Sequence, residues 1–182
     1  MSDHYISLVS EKLSSANSKK TAEKIVQFFI EQKIIEKKLT DCVLGSPNGH
    51  APDKNYRNAL ENTELDLTKL QTNGVQFITE KQVFDNGGNG LEEIKCPNCG
   101  ENNIENDWGD SLDNWHSGTD SDKIKCQKCG TENSVTEFEF KPTWAFGHFG
   151  ITFWNWTKLD PKFVAELEKI IGTELKSVYG RI

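Results

Sequence analysis

The sequence predicts an α+β fold in which a strand, a helix and a strand recur near each end of the chain. Two observations carry this: apolar residues repeat with helical spacing in two places, and short β-branched or aromatic runs flank each of them. A third observation separates the two units, a central segment holding two C-x-x-C pairs. At 182 residues the chain has the length of one domain, or of one domain carrying a small inserted module.

HYISLV at residues 4–9 is short, rich in β-formers and without helical spacing, which predicts a strand. A helix follows, capped by Asn17 or Ser18, with Ala22, Ile25, Val26, Phe29 and Ile30 on one face and its end near Ile35. Residues 42–44 read as a short strand, and the Gly and Pro punctuation of residues 45–53 as an irregular loop. VQFITEKQVF at 75–84 predicts one long strand or a pair of short ones, stopped by the turn DNGGNG. That turn lacks the closing acid at EF-hand spacing, so it carries no calcium signature.

Beyond the cysteines, VTEFEF at 135–140 alternates as a half-buried strand should, and residues 146–156 supply a second, strongly aromatic strand. The clearest helix comes next. Asp160 is its N-cap and Pro161 its first position, Leu159 can staple onto Val164, and Gly172 stops it. Phe163, Val164, Leu167, Ile170 and Ile171 form its apolar stripe, and a last strand spans residues 175–179. Two strand-helix-strand units pairing in one sheet, with both helices on one face, would make a ferredoxin-like or related α+β sandwich. The expected divisions are residues 1–90 and 136–182 for its two halves and 91–135 for an insertion.

No stretch approaches the roughly 20 apolar residues of a membrane span, and the start of the sequence has neither the basic nor the apolar region of an export signal. A soluble, cytoplasmic protein is the expectation. The net charge of -7 is unevenly spread. Residues 1–40 hold seven lysines against five acids, residues 41–133 eight bases against seventeen acids, and residues 134–182 six of each. The central excess repels phosphate backbones and suits a basic partner, or serves only as a solvated surface.

Five cysteines in a reducing compartment argue against disulfides. Cys42, in a short apolar run, reads as a small buried hydrophobe. Cys96 with Cys99, and Cys126 with Cys129, stand in nearly repeated phrases, IKCPNCGEN and IKCQKCGTEN. Two cysteines separated by two residues reach one ion from a tight turn, and Gly100 and Gly130 follow where such a turn needs positive φ. Over residues 91–135 this resembles a zinc ribbon, in which two knuckles share one Zn²⁺. The resemblance implies one structural zinc held by Cys96, Cys99, Cys126 and Cys129, with no open position for water or substrate. His116 has no spacing that recommends it as a ligand.

Between the pairs, residues 100–125 hold seven acids, two lysines, Trp108 and Trp115. Nucleic-acid ribbons set Lys and Arg beside their aromatics, so this loop argues against that role. It suits an acidic, aromatic surface for a protein with a basic face, or the tryptophans simply cover a small module. In residues 144–156, His148, Trp154, Asn155 and Trp156 are candidates for a pocket, or for a packed aromatic core with satisfied polar groups. No P-loop, dinucleotide fingerprint, G-x-S-x-G or H-E-x-x-H is present, and Cys42 with His50 is only a proximity in sequence. The expected function is a zinc-binding, non-enzymatic protein-interaction module, in size and charge like an immunity-type inhibitor of a basic partner. The alternatives are a small-molecule-binding protein or enzyme using residues 144–156, and a nucleic-acid-associated ribbon using the lysines of the first helix.

Overall fold

The computed structural model describes residues 2–45, 48–64 and 66–182. Its α+β architecture centres on a six-stranded antiparallel sheet in the order β12-β1-β11-β4-β3-β2. The strands are β1 (His4–Ser10), β2 (Ile35–Thr40), β3 (Gly49–Pro52), β4 (Val75–Ile78), β11 (Phe149–Trp154) and β12 (Lys176–Arg181). β1, next to edge strand β12, is bonded on both sides, with Ser7 opposite Thr152 of β11 and Val178 of β12. Four strands in two units would place β2 beside β11; here β4 and β3 stand between them.

The first helix, α1 (Ser15–Glu31), starts earlier and stops earlier than its periodicity predicts. Its N-cap is Ser14, and Ser18 is instead a buried helical residue whose Oγ donates to the carbonyls of Ser15 and Thr79. At the other end Lys33 takes φ 59°, while the N–H of Ile34 donates to Phe29 O and that of Lys33 to Ile30 O. This pair of bonds is a Schellman stop, and its hydrophobic closure is the buried Ile34. The apolar spacing ran on through Ile34 and Ile35 because both are core residues, but Ile35 already begins edge strand β2.

Residues 42–44 form bends rather than a strand, and part of the expected loop is strand β3. Residues 46 and 47 of that loop lie outside the described residues. The carbonyl of Cys42 accepts the N–H groups of Asn73 and Gly74, which carries the chain into β4. Cys42 itself is buried against Val43 and Trp154, as a small hydrophobe should be. The 75–84 run is a pair of strands, β4 and β5 (Gln82–Phe84); β5 leaves the main sheet to pair with β10 (Ala145–Gly147). The aromatic run is likewise two strands, β10 and β11, broken at His148.

Helix α3 (Pro161–Ile171) matches its sequence signals: Asp160 Oδ1 accepts the Lys162 N–H at 2.6 Å, and Gly172 ends the helix at φ 85°. Both long helices bury their stripes on one face of the sheet. Ile25 and Phe29 of α1 and Phe163 and Leu167 of α3 share a core with Leu8, Ile151 and Phe153. Phe29 is fully buried, its ring centroid 5.5 Å from Phe163 and 6.2 Å from Phe153, which contributes about 2–3 kcal/mol by burial alone. Among the described residues no helix is long and apolar enough to cross a membrane.

A second hydrophobic cluster gathers the cysteine region. Two antiparallel ladders, the long-range pair β6 (Glu93–Lys95) with β9 (Glu139–Lys141) and the hairpin β7 (Lys123–Lys125) with β8 (Glu132–Ser134), bury Ile94, Ile124 and Phe140 together. Short helix α2 (Gly109–Ser117) lies between them in sequence. The expected strand over 135–140 is instead a 3-10 turn, residues 135–137, followed by β9. Ser134 and Glu137 form a capping box around that turn, and Val135, Phe138 and Phe140 all point inward, which mimicked strand alternation.

Candidate metal centre

Each C-x-x-C segment is a turn at the end of a short strand. β6 delivers Cys96 and β7 delivers Cys126. In the first turn the Gly100 N–H returns to Cys96 O and the Cys96 N–H to Glu101 O; in the second, Gly130 returns to Cys126 O and Cys126 to Thr131 O. Gly100 and Gly130 both sit at φ 71°, with nothing within 4 Å of an added Cβ. Glycine is therefore required there by backbone conformation and not by crowding.

The four sulfurs lie within 4.8 Å of one another. Cys96 Sγ is 3.8 Å from Cys129 Sγ, and Cys99 Sγ 3.6 Å from Cys126 Sγ. A tetrahedron with metal-sulfur bonds of about 2.3 Å has edges of about 3.8 Å, so these separations fit one tetrahedral ion. Cys96 and Cys126 are buried, while Cys99 and Cys129 are exposed. His116, exposed on α2, is outside the cluster.

The thiols perturb one another strongly. Cys126, accepting the N–H groups of Cys129 and Lys128, is drawn down to about 6. Cys129 is also lowered, by its contacts to the Thr131 hydroxyl and amide. Cys99 accepts the Glu101 N–H, which lowers it, but burial and the sulfurs of Cys129, Cys126 and Cys96 push it up to about 12. Four facing sulfurs cannot all ionise against one another, and a divalent cation among them removes that conflict. Lys128, raised by its contact with Glu101 at 2.9 Å, adds positive charge beside Cys99 and Cys126.

An asparagine frame ties the two turns together. Asn103, 1% exposed, accepts the Gln127 N–H at 3.1 Å and donates Nδ2 to Glu101 O at 2.8 Å and toward Cys126 Sγ at 3.7 Å. Asn98 reaches the other way, donating to Thr131 Oγ1 at 2.9 Å. Reading the cysteines alone missed both residues. Their signal is the asparagine density of CPNCGENNIEN immediately around the first turn.

Trp108 and Trp115 stand half-buried on α2 and the residue before it. Trp108 donates Nε1 to Ile104 O and meets Trp144 edge-on at 6.1 Å; Trp115 meets Phe146 edge-on at 5.3 Å. Lys81 places its ammonium 4.5 Å from the Trp115 ring centroid and also donates to Trp115 O, fastening α2 to the segment between β4 and β5.

The remaining candidates are not brought together. His148 is half-buried at one end of β11, and Asn155 follows its other end, on the order of 20 Å away. Asn155, at φ 58°, accepts the His4 N–H and donates to Asp3 Oδ1 and Thr72 O, fastening the start of the chain to the end of β11. Trp156 is buried in the main core and donates to Asn73 O, whereas Trp154 packs by Tyr5 and donates to Gln76 Oε1. Neither a family model nor a curated protein nor a solved structure matches this chain.

Proposed function

We propose that the chain holds one structural zinc ion through Cys96, Cys99, Cys126 and Cys129, in a ribbon over residues 91–135 inserted between two halves of an α+β domain. The gathering of the four sulfurs within 4.8 Å, with two of their separations at the edge length of a tetrahedral site, is the observation that carries this reading. Four thiolates fill the coordination sphere, so the ion organises the surrounding chain and does no chemistry on a substrate. Purified protein should carry about one zinc per chain by elemental analysis, and Cys126→Ser with Cys129→Ser should lose it. Full metal retention in that double variant would overturn the assignment. The order of β12, β1 and β11, with α3 crossing from β11 to β12, supports reading the sheet as a ferredoxin-like arrangement enlarged by β3 and β4.

The surface organised by the ion favours a protein-binding role without catalysis. Asp107, Asp110, Asp113 and Asp120 are exposed on and beside α2, where they would face a basic partner of the kind an immunity-type inhibitor neutralises. Affinity capture from the native host tests this with the wild type beside Asp110→Lys with Asp113→Lys. A stoichiometric basic protein retained by the first and lost by the second supports the reading; equal retention by both removes it.

A further inference from the structure

The face of the main sheet opposite α1 and α3 contains a cleft of about 270 Å³ between β1, β11 and β4 below and β5 above. Strand register puts Ser7, Thr152 and Gln76 side by side across its floor. This polar row is out of place beside the apolar packing of Val9, Val178 and Phe84 on the same face, where Phe84 presses on Gly150 so closely that a Cβ would meet its ring at 2.4 Å. Ser7 and Thr152 are 2% and 4% exposed, with their hydroxyl oxygens 2.8 Å apart. Two hydroxyls carry two protons, and only one lies in the bond between them. The second has no acceptor among the described residues and is available to the cleft.

Gln76 extends the same pattern. Its Oε1 accepts Trp154 Nε1 at 3.4 Å, and its NH₂ has no acceptor among the described residues. Asp85, at the mouth, accepts the Gly87 N–H at 2.7 Å and the Tyr5 hydroxyl through Oδ1, leaving Oδ2 without a donor among them. Donors on the floor thus face an acceptor at the rim, and Trp154 supplies an apolar wall. Among the described residues, Asp85 is the only charged side chain lining the cleft, which disfavours an anion. At ~30 Å³ per water the space holds about nine waters, or one molecule of about a dozen heavy atoms.

We propose that this cleft binds a small uncharged polyol of monosaccharide size. Each hydroxyl of such a ligand donates and accepts at once, which matches floor donors and a rim acceptor, and the C–H face of a sugar ring suits the indole of Trp154. The site is separate from the metal centre and does not depend on it.

The test is a titration of ¹⁵N-labelled, zinc-loaded full chain with glucose, galactose and mannose, followed by amide and indole chemical shifts, with glucose 6-phosphate as the anionic counterpart. Saturable shifts concentrated on Ser7, Gln76, Thr152 and the Trp154 indole are expected, with millimolar affinity. Thr152→Val, which keeps the shape and removes a hydroxyl, should weaken binding about tenfold, and the phosphate should bind less tightly than glucose. Should Thr152→Val fail to fold, Gln76→Ala replaces it with the same expectation. The absence of saturable shifts with all three neutral sugars, unchanged affinity in the folded variant, or tighter binding of the phosphate would each overturn the proposal.

Discussion

Asn103→Ala isolates what the frame around the sulfurs contributes. Its side chain is buried and makes four contacts: it accepts the Gln127 N–H and, at 3.4 Å, the Asn106 side-chain amide, and it donates to Glu101 O and toward Cys126 Sγ. Each ordinary hydrogen bond contributes about 1 kcal/mol net, and an orphaned buried partner adds to the loss, so truncation should cost about 2–3 kcal/mol. The bond to Gln127 spans the two turns that would have to stay in register to hold an ion between them. The cost should therefore fall on metal affinity, a rise in the zinc Kd of about 30- to 150-fold with the stoichiometry still one. Competition against a chromophoric chelator measures it. Asn103→Asp should be no better, because it keeps an acceptor for Gln127 but points a carboxylate at a thiolate. Wild-type affinity in Asn103→Ala would refute the idea that this amide clasps the two turns.

Chelation of the metal should release amide protection in the β6–β9 and β7–β8 ladders while β1 and β11 keep theirs, because the two hydrophobic clusters are separate; hydrogen exchange with and without a chelator reads this directly. Gly130→Ala should lower stability by about 1–2 kcal/mol in urea unfolding through its positive φ alone, since no neighbour crowds the added methyl. Phe29→Ala should cost about 3–5 kcal/mol by the same assay, as expected for a fully buried ring in a packed core. Tyr5 is pushed up to about 12 by burial and then by the Asp85 carboxylate and their hydrogen bond. Its neutral form is favoured by folding, so that contribution is complete below pH 10 and lost as pH rises toward 12; Tyr5→Phe should remove this part of the alkaline stability loss.

The cysteine cluster was legible because its determinants are local. The spacing of Cys96, Cys99 and Gly100 describes one turn, the same is true of the second phrase, and two such turns have one economical use. The cap of α3 was legible for the same reason, since Asp160, Pro161 and Gly172 act on backbone groups within a few residues. β2 and β3 were not legible: β2 is an edge strand whose exposed Glu36, Lys37 and Lys38 show no alternation, and its pairing comes from a neighbour across a loop. The end of α1 was misplaced because Ile34 and Ile35 are buried by the fold after the helix has stopped, and apolar spacing cannot distinguish those two uses.

The sequence by itself determined the four clustered cysteines, the turns that present them, the α+β class and the acidic character of the segment between the turns. Tertiary structure alone decided which side chains meet: it placed Asn103 against a turn that begins more than twenty residues later, separated His148 from Asn155 along one strand, and lined up Ser7, Thr152 and Gln76 across three strands. The physical reason is range. Capping, turn conformation and paired metal ligands are governed by atoms a few residues apart, whereas sheet order and strand register follow from burial integrated over the whole molecule, and every cleft and cross-strand contact inherits that register.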